Sequence, residues 1–229
     1  MSVSKWQLQQ IDPLTKQPEV GAPDMGMSPM DPPEVYSPPA VDEVAVDDMH
    51  PFLRGLCEEH AALSHVLGVV EEALKTIKAT GFTAEVEAAL LGFCQVVEYD
   101  FVPHSRREEI ALFPMLHDRL IADGEHGTGK DPMTPVDIML ADHLKVIQFS
   151  AVVDSLVRLA SRLVDDNSAL ILRDAAVRHT RNLVALLRLH MFREENILFT
   201  SAHRLIQTSQ LDRMPFGVSG PTECDRSGG

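Results

Sequence analysis

Six side chains in this 229-residue chain belong to the types that bind metal ions: His60, His104, Glu108, His143, His190 and Glu194. Four of them form two His-x-x-x-Glu pairs in matching stretches, HSRREEIALF at 104–113 and HMFREENILF at 190–199. A helix rises about 1.5 Å and turns about 100° per residue, so residues four apart share a face roughly 6 Å apart. Each pair therefore aims an imidazole and a carboxylate in one direction. Such groups suit borderline to hard metals, above all iron, manganese and zinc, and the set contains no thiolate. Four histidines and two glutamates exceed the needs of one tetrahedral ion and match two ions of higher coordination that share carboxylates. On this reading Glu108 and Glu194 bridge two metals, and the histidines divide two and two. An imidazole-rich shell leaves positions open to solvent or to O2, NO or peroxide, which favours reversible or redox contact over hydrolysis.

The elements that must hold these residues read as helices. Leu53, Leu56, Ala61, Leu63, Leu67, Val70 and Leu74 recur at helical spacing. A first helix is expected from a cap at Asp47 or Asp48 to about Thr80, with Pro51 in its first turn and Gly81 as the stop. Thr83 caps a second helix running to about Leu120, which Pro103 and Pro114 should bend or interrupt on either side of the first His-x-x-x-Glu pair. Thr134-Pro135-Val136-Asp137 is a strong start for a third helix, extending to about Leu163. A fourth is expected from about Ser168 to Ile206. The acid-His steps Glu59-His60 and Asp142-His143 precede the two pairs, their histidines lying 44 and 47 residues before His104 and His190. The bundle thus reads as two hairpins related by a pseudo-twofold.

Flanking segments differ in character. Residues 1–46 carry eight prolines among several acids, which forbids continuous helix and offers little apolar surface, so a disordered arm able to dock a protein partner is expected. Residues 207–229 read as a flexible tail. The expected fold class is all-α: an up-down-up-down four-helix bundle over 47–206 between these two segments.

Composition excludes several classes. A net charge of −14 with no basic stripe argues against nucleic acid. No run of about 18 apolar residues suggests a membrane span, and no secretory signal is evident. Cys57, Cys94 and Cys224 are scattered and odd in number, which fits neither a disulfide framework nor a thiolate zinc site. A cytoplasmic, reducing location follows from these readings.

Other groups have plainer expectations. Glu109 and Glu195, next to the candidate ligands, are solvated or hydrogen-bond a ligand imidazole. Cys57 is a small core residue, and Phe113 and Phe199 close the core beneath the site. His50, His65, His117, His126 and His203 are expected mostly at the surface. His179 lies on the face of His190 but about 16 Å along the axis, and Asp100 is a polar-face residue.

The acid-His steps and the repeated H-x-x-x-E-E-x-x-L-F blocks resemble the hemerythrin-like, HHE cation-binding family over about residues 50–206. The resemblance implies a four-helix bundle holding a non-haem di-iron centre: two iron ions, Fe2+ or Fe3+, with an oxo or hydroxo bridge, manganese or zinc being substitutes. It implies a protein that binds or senses O2, NO or peroxide, or handles iron. A di-metal oxidase or peroxide-consuming enzyme at the same site, and a metal-stabilised interaction scaffold using the arm, are the alternatives. Oxygen-carrying members use five histidines and an aspartate on the fourth helix; here Ile147 stands four residues after His143, and the fourth-helix acid is Glu194. That pattern argues against oxygen carriage. Iron-sulfur repair members carry an N-terminal cysteine domain, whereas residues 1–49 contain no cysteine.

Overall fold

In the computed structural model, residues 44–127 and 133–215 are described; nearly all of the expected arm, loop residues 128–132 and residues 216–229 lie outside them. The chain is all-α, with no strand among the described residues. Helix α1 spans Pro51–Thr80, α2 residues 84–123, α3 Pro135–Ala160 and α4 residues 166–205, and a short α5 spans Thr208–Leu211. No helix among the described residues is long and apolar enough to cross a membrane.

Local chemistry accounts for most helix ends. Gly81, at φ 75° and ψ −168°, ends α1 in a conformation open essentially to glycine alone. Thr83 caps α2 by accepting from the Val86 N–H. Thr134 and Asp137 form the expected capping box of α3, with Pro135 in its first turn. Asp165, not Ser168, sets the start of α4, its carboxylate accepting from the Ser168 N–H at 2.8 Å.

Three local expectations need correction. Asp47 and Asp48 lie in a 3-10 turn, and His50 caps α1 instead, its Nδ1 accepting from the Phe52 N–H at 3.2 Å. His50 is buried rather than superficial, and its Nε2 meets Asp212 Oδ1 at 3.0 Å. Residues beyond Gln207 do not immediately loosen: α5 forms, and Leu211 and Met214 are buried in the core beside α1 and α2.

Pro103 and Pro114 do not break α2. The helix widens instead into two π turns, Val97–Phe101 and Glu108–Leu112, each just before a proline. Their closing bonds run from residue i to i−5, Val102 N–H to Val97 and Phe113 N–H to Glu108, which gives the proline rings room. Helix α4 has a matching π turn at Glu194–Leu198 with no proline behind it. The widening therefore belongs to the glutamate position in both blocks and is not merely a response to proline.

Contacts between helices run in opposite senses along the chain. Glu59 pairs with Arg107 and His60 with Glu195, while Arg188 reaches Ser64 and Glu71. Cys94 bonds to the Ser150 carbonyl and His143 to Glu109. Asp142 meets Arg193, and Phe149 packs on His179. These contacts run antiparallel between α2 and α3, between α3 and α4, and between α1 and α4. The apolar interior divides into two clusters, one built around Leu67, Leu90, Val153 and Leu187, the other around Leu53, Leu116, Met139 and Phe199. Between them lies a polar belt.

Candidate metal centre

All six residues singled out by spacing meet in that belt. His60 and His104 are 3% exposed, and Glu108, His143, His190 and Glu194 are 0% exposed. Two overlapping groups have mutual donor separations within 4.8 Å: His60, His104, Glu108 and Glu194, and Glu108, His143, His190 and Glu194. The carboxylates divide their oxygens between the groups. Glu108 Oε1 lies 3.4 Å from His104 Nε2, and its Oε2 lies 3.4 Å from His143 Nε2. Glu194 Oε2 lies 3.2 Å from His60 Nε2, while its Oε1 lies 3.3 Å from His190 Nε2 and 3.8 Å from His143 Nε2.

These contacts are ion-pair distances, mostly too long for well-formed hydrogen bonds. Both oxygens of Glu108 and of Glu194, with Nε2 of His143 and of His190, are buried with no hydrogen-bond partner. Leaving even one buried polar atom unsatisfied costs about 1–3 kcal/mol, and more if it is charged. Six such atoms facing one another, four of them carboxylate oxygens, fit a buried cation.

The outer nitrogens of the imidazoles show how the set is aimed. His143 Nδ1 bonds to Glu109 at 2.7 Å and His60 Nδ1 to Glu195 at 3.0 Å. Glu109 and Glu195 thus take the imidazole-bonding role that was one of their two expected alternatives, each from the residue after a belt glutamate. His104 Nδ1 bonds to Glu59 at 2.7 Å, and Glu59 is also paired with Arg107. Sequence reasoning assigned Glu59 no role; its signal was the acid-His step itself. An acceptor on Nδ1 keeps that nitrogen protonated and turns the Nε2 lone pair inward.

The pseudo-twofold breaks at one point. Asp142 occupies the position of Glu59, and its partner Arg193 occupies that of Arg107, yet His190 Nδ1 has no hydrogen-bond partner. Aspartate is one methylene shorter than glutamate, and Asp142 bonds to Arg193 at 3.3 Å and Lys145 at 3.4 Å instead. Phenylalanines preserve the symmetry elsewhere: Phe113 stacks on His143 and Phe199 on His60, with ring centroids 5.6 and 5.7 Å apart. Phe101 meets His143 and His190 edge-on.

Charge follows this geometry. Burial lowers the affinity of His104 for a proton, but the Glu108 charge at 3.4 Å and the hydrogen bond that Glu59 accepts from it raise its pKa to about 10. His143, with burial likewise opposed by Glu108 and Glu194, is also raised to about 10. His60 is raised by Glu194 and Glu195 against burial, whereas burial prevails at His190 and its pKa falls. Burial pushes Glu108 up, but His104 and His143 hold it well below the usual carboxylate range. Glu194 ends below that range too, with His190, His143 and His60 outweighing burial and Glu108.

Residues outside the belt fall as follows. His179 packs on Phe149 and belongs to neither group, and Asp100 is exposed. Cys57 is buried in the core, as expected, and burial with the nearby Glu195 and Glu194 charges pushes its thiol up to about 12. His117 bonds Thr134 Oγ1, and His203 Nδ1 accepts from the His50 N–H.

With fold and belt established, the chain can be placed. It is an all-helical protein with buried histidine-carboxylate clusters able to hold metal. It belongs to the hemerythrin HHE cation binding domain family, whose model matches residues 46–202. No curated protein matches the chain.

Proposed function

We propose that the belt holds two iron ions, His60 and His104 on one, His143 and His190 on the other, with Glu108 and Glu194 bridging. On this reading the protein binds or senses O2, NO or peroxide, or handles iron. The observation that carries it is the division of each buried carboxylate, one oxygen toward each histidine pair. Iron bound there would supply open coordination positions and one-electron exchange between ferrous and ferric states. The protein's own part is to aim and to shield. Glu59, Glu109 and Glu195 hold the Nδ1 protons of three imidazoles, so that their Nε2 atoms face inward. Phe101, Phe113 and Phe199 pack against the imidazoles and lower the local dielectric, which strengthens the charge interactions on the closed side of the belt, at His143 and His190.

Metal analysis with Mössbauer and optical spectroscopy on the purified protein tests the proposal. About two iron equivalents per chain are expected, falling in Glu108→Ala and Glu194→Ala. Protein whose metal content and thermal stability do not change on iron loading refutes it.

A further inference from the structure

A cleft between α1 and α2 opens directly onto one half of the belt. Its volume is about 300 Å3, and His60 and His104 form part of its wall. We propose that this cleft binds a compact, neutral organic molecule, apolar in body with one hydrogen-bonding group, seated against the outer edges of His60 and His104. Its position beside metal ions rests on the di-metal reading above.

Size sets the class of ligand. A water molecule occupies about 30 Å3, so the cleft has room for about ten waters, far more than a diatomic gas requires. It falls at the small end of the range of organic-ligand pockets. Ala62, Leu63, Val66, Val96 and Phe101 supply apolar wall. Its polar lining is the Glu59–Arg107 ion pair, the edges of His60 and His104, and the exposed Tyr99 and Asp100 at the lip. The ion pair is self-neutralised and Asp100 leaves the lip acidic, in a chain of net charge −14, so anions are disfavoured. A cation would find only Asp100 uncommitted, and that residue is exposed and screened. A neutral donor or acceptor can use Glu59 or Arg107 without separating them.

The backbone explains why the cleft lies on this side. Tyr99, Asp100 and Phe101 belong to the π turn Val97–Phe101, followed by Pro103 in the same wall. The corresponding part of α4 is regular helix from Asp166 to Arg193. The two halves of the belt differ accordingly: His60 and His104 retain slight exposure, whereas His143 and His190 have none. An occupant bonded to Glu59 touches the group that holds the His104 Nδ1 proton, which links the cleft to the belt without any change in the helices.

Fluorine NMR titration with para-fluorobenzyl alcohol, on metal-free and manganese-loaded full chain, tests this proposal. One saturable site is expected in both forms. Ala62→Trp, which fills the cleft from α1, should weaken binding at least about tenfold, and Leu144→Trp, exposed on α3, should leave it within about twofold. Ala62→Met gives a graded loss should the larger side chain prevent folding. In manganese-loaded protein the bound fluorine line should broaden, and the broadening should vanish with binding in Ala62→Trp. No saturable binding, or equal losses from the α1 and α3 variants, overturns the cleft. Metal uptake without broadening overturns its place beside His60 and His104. Saturable, Ala62-dependent binding in a chain that takes up neither manganese nor iron upholds the cleft while refuting the di-metal reading.

Discussion

Replacing Glu109 by alanine should weaken one metal position and spare the other. Glu109 bonds only His143, at 2.7 Å, and His143 belongs only to the group that includes His190. A charge-assisted hydrogen bond contributes about 1.5–3 kcal/mol, but the Glu109 side chain is 41% exposed and solvent screening places it at the low end. About 1.4 kcal/mol is a tenfold loss of affinity, the lower edge of what removing such a partner from a metal-bound imidazole produces. Asp142→Ala is the matched control. It removes a buried carboxylate bound to Arg193 but not to His190, so it should cost stability, by about 1–3 kcal/mol, with metal affinity unchanged within about threefold. Competition against a chelator of known affinity, analysed as two sequential equivalents, separates these outcomes. Equal weakening of both equivalents by Glu109→Ala, or a loss of metal affinity in Asp142→Ala as large as that in Glu109→Ala, refutes this role for Glu109.

Other outcomes follow from the same geometry. In metal-free protein His104 and His143 titrate near 10 instead of 6.5, so their stabilising contribution is complete below about 6.5 and is lost as pH rises through about 10. Glu108 and Glu194, held below 4.5, contribute above about 4.5 and cease to do so on acidification, so melting temperature without metal should be highest between about 4.5 and 6.5 and fall toward pH 10. Leu211→Ala should destabilise the bundle by about 2–5 kcal/mol in chemical denaturation, because α5 packs into the core; a change below about 0.5 kcal/mol would return it to a loose tail. Cys57, with its thiol raised to about 12, should resist alkylation at pH 8 in native protein and react once it is unfolded, as measured by mass spectrometry.

Four of the six belt residues were legible in the sequence because their signal is local, and His60 and His143 were read from the repeated acid-His step. Four-residue spacing on a helix puts His104 with Glu108 and His190 with Glu194 whatever the neighbouring helices do. Gly81, Thr83 and the Thr134–Asp137 box were legible for the same reason, since each acts within one turn of its own backbone. Proline was read correctly as a perturbation, but not as one that a π turn could absorb.

What only the tertiary structure decided is which groups meet across helices. Glu59 reaches His104 from α1 and Asp142 misses His190 from α3, although both stand one residue before a belt histidine. The difference is one methylene of reach across a helix interface, and no spacing rule within a single helix encodes it. The capping of α1 by His50, held by Asp212 from 162 residues away, is decided the same way. So is the cleft beside His60 and His104, walled by α1 on one side and by the π turn of α2 on the other. Sequence set the type and facing of each donor; packing set its partners, because interhelical register is fixed by the sum of many side-chain contacts and not by any one of them.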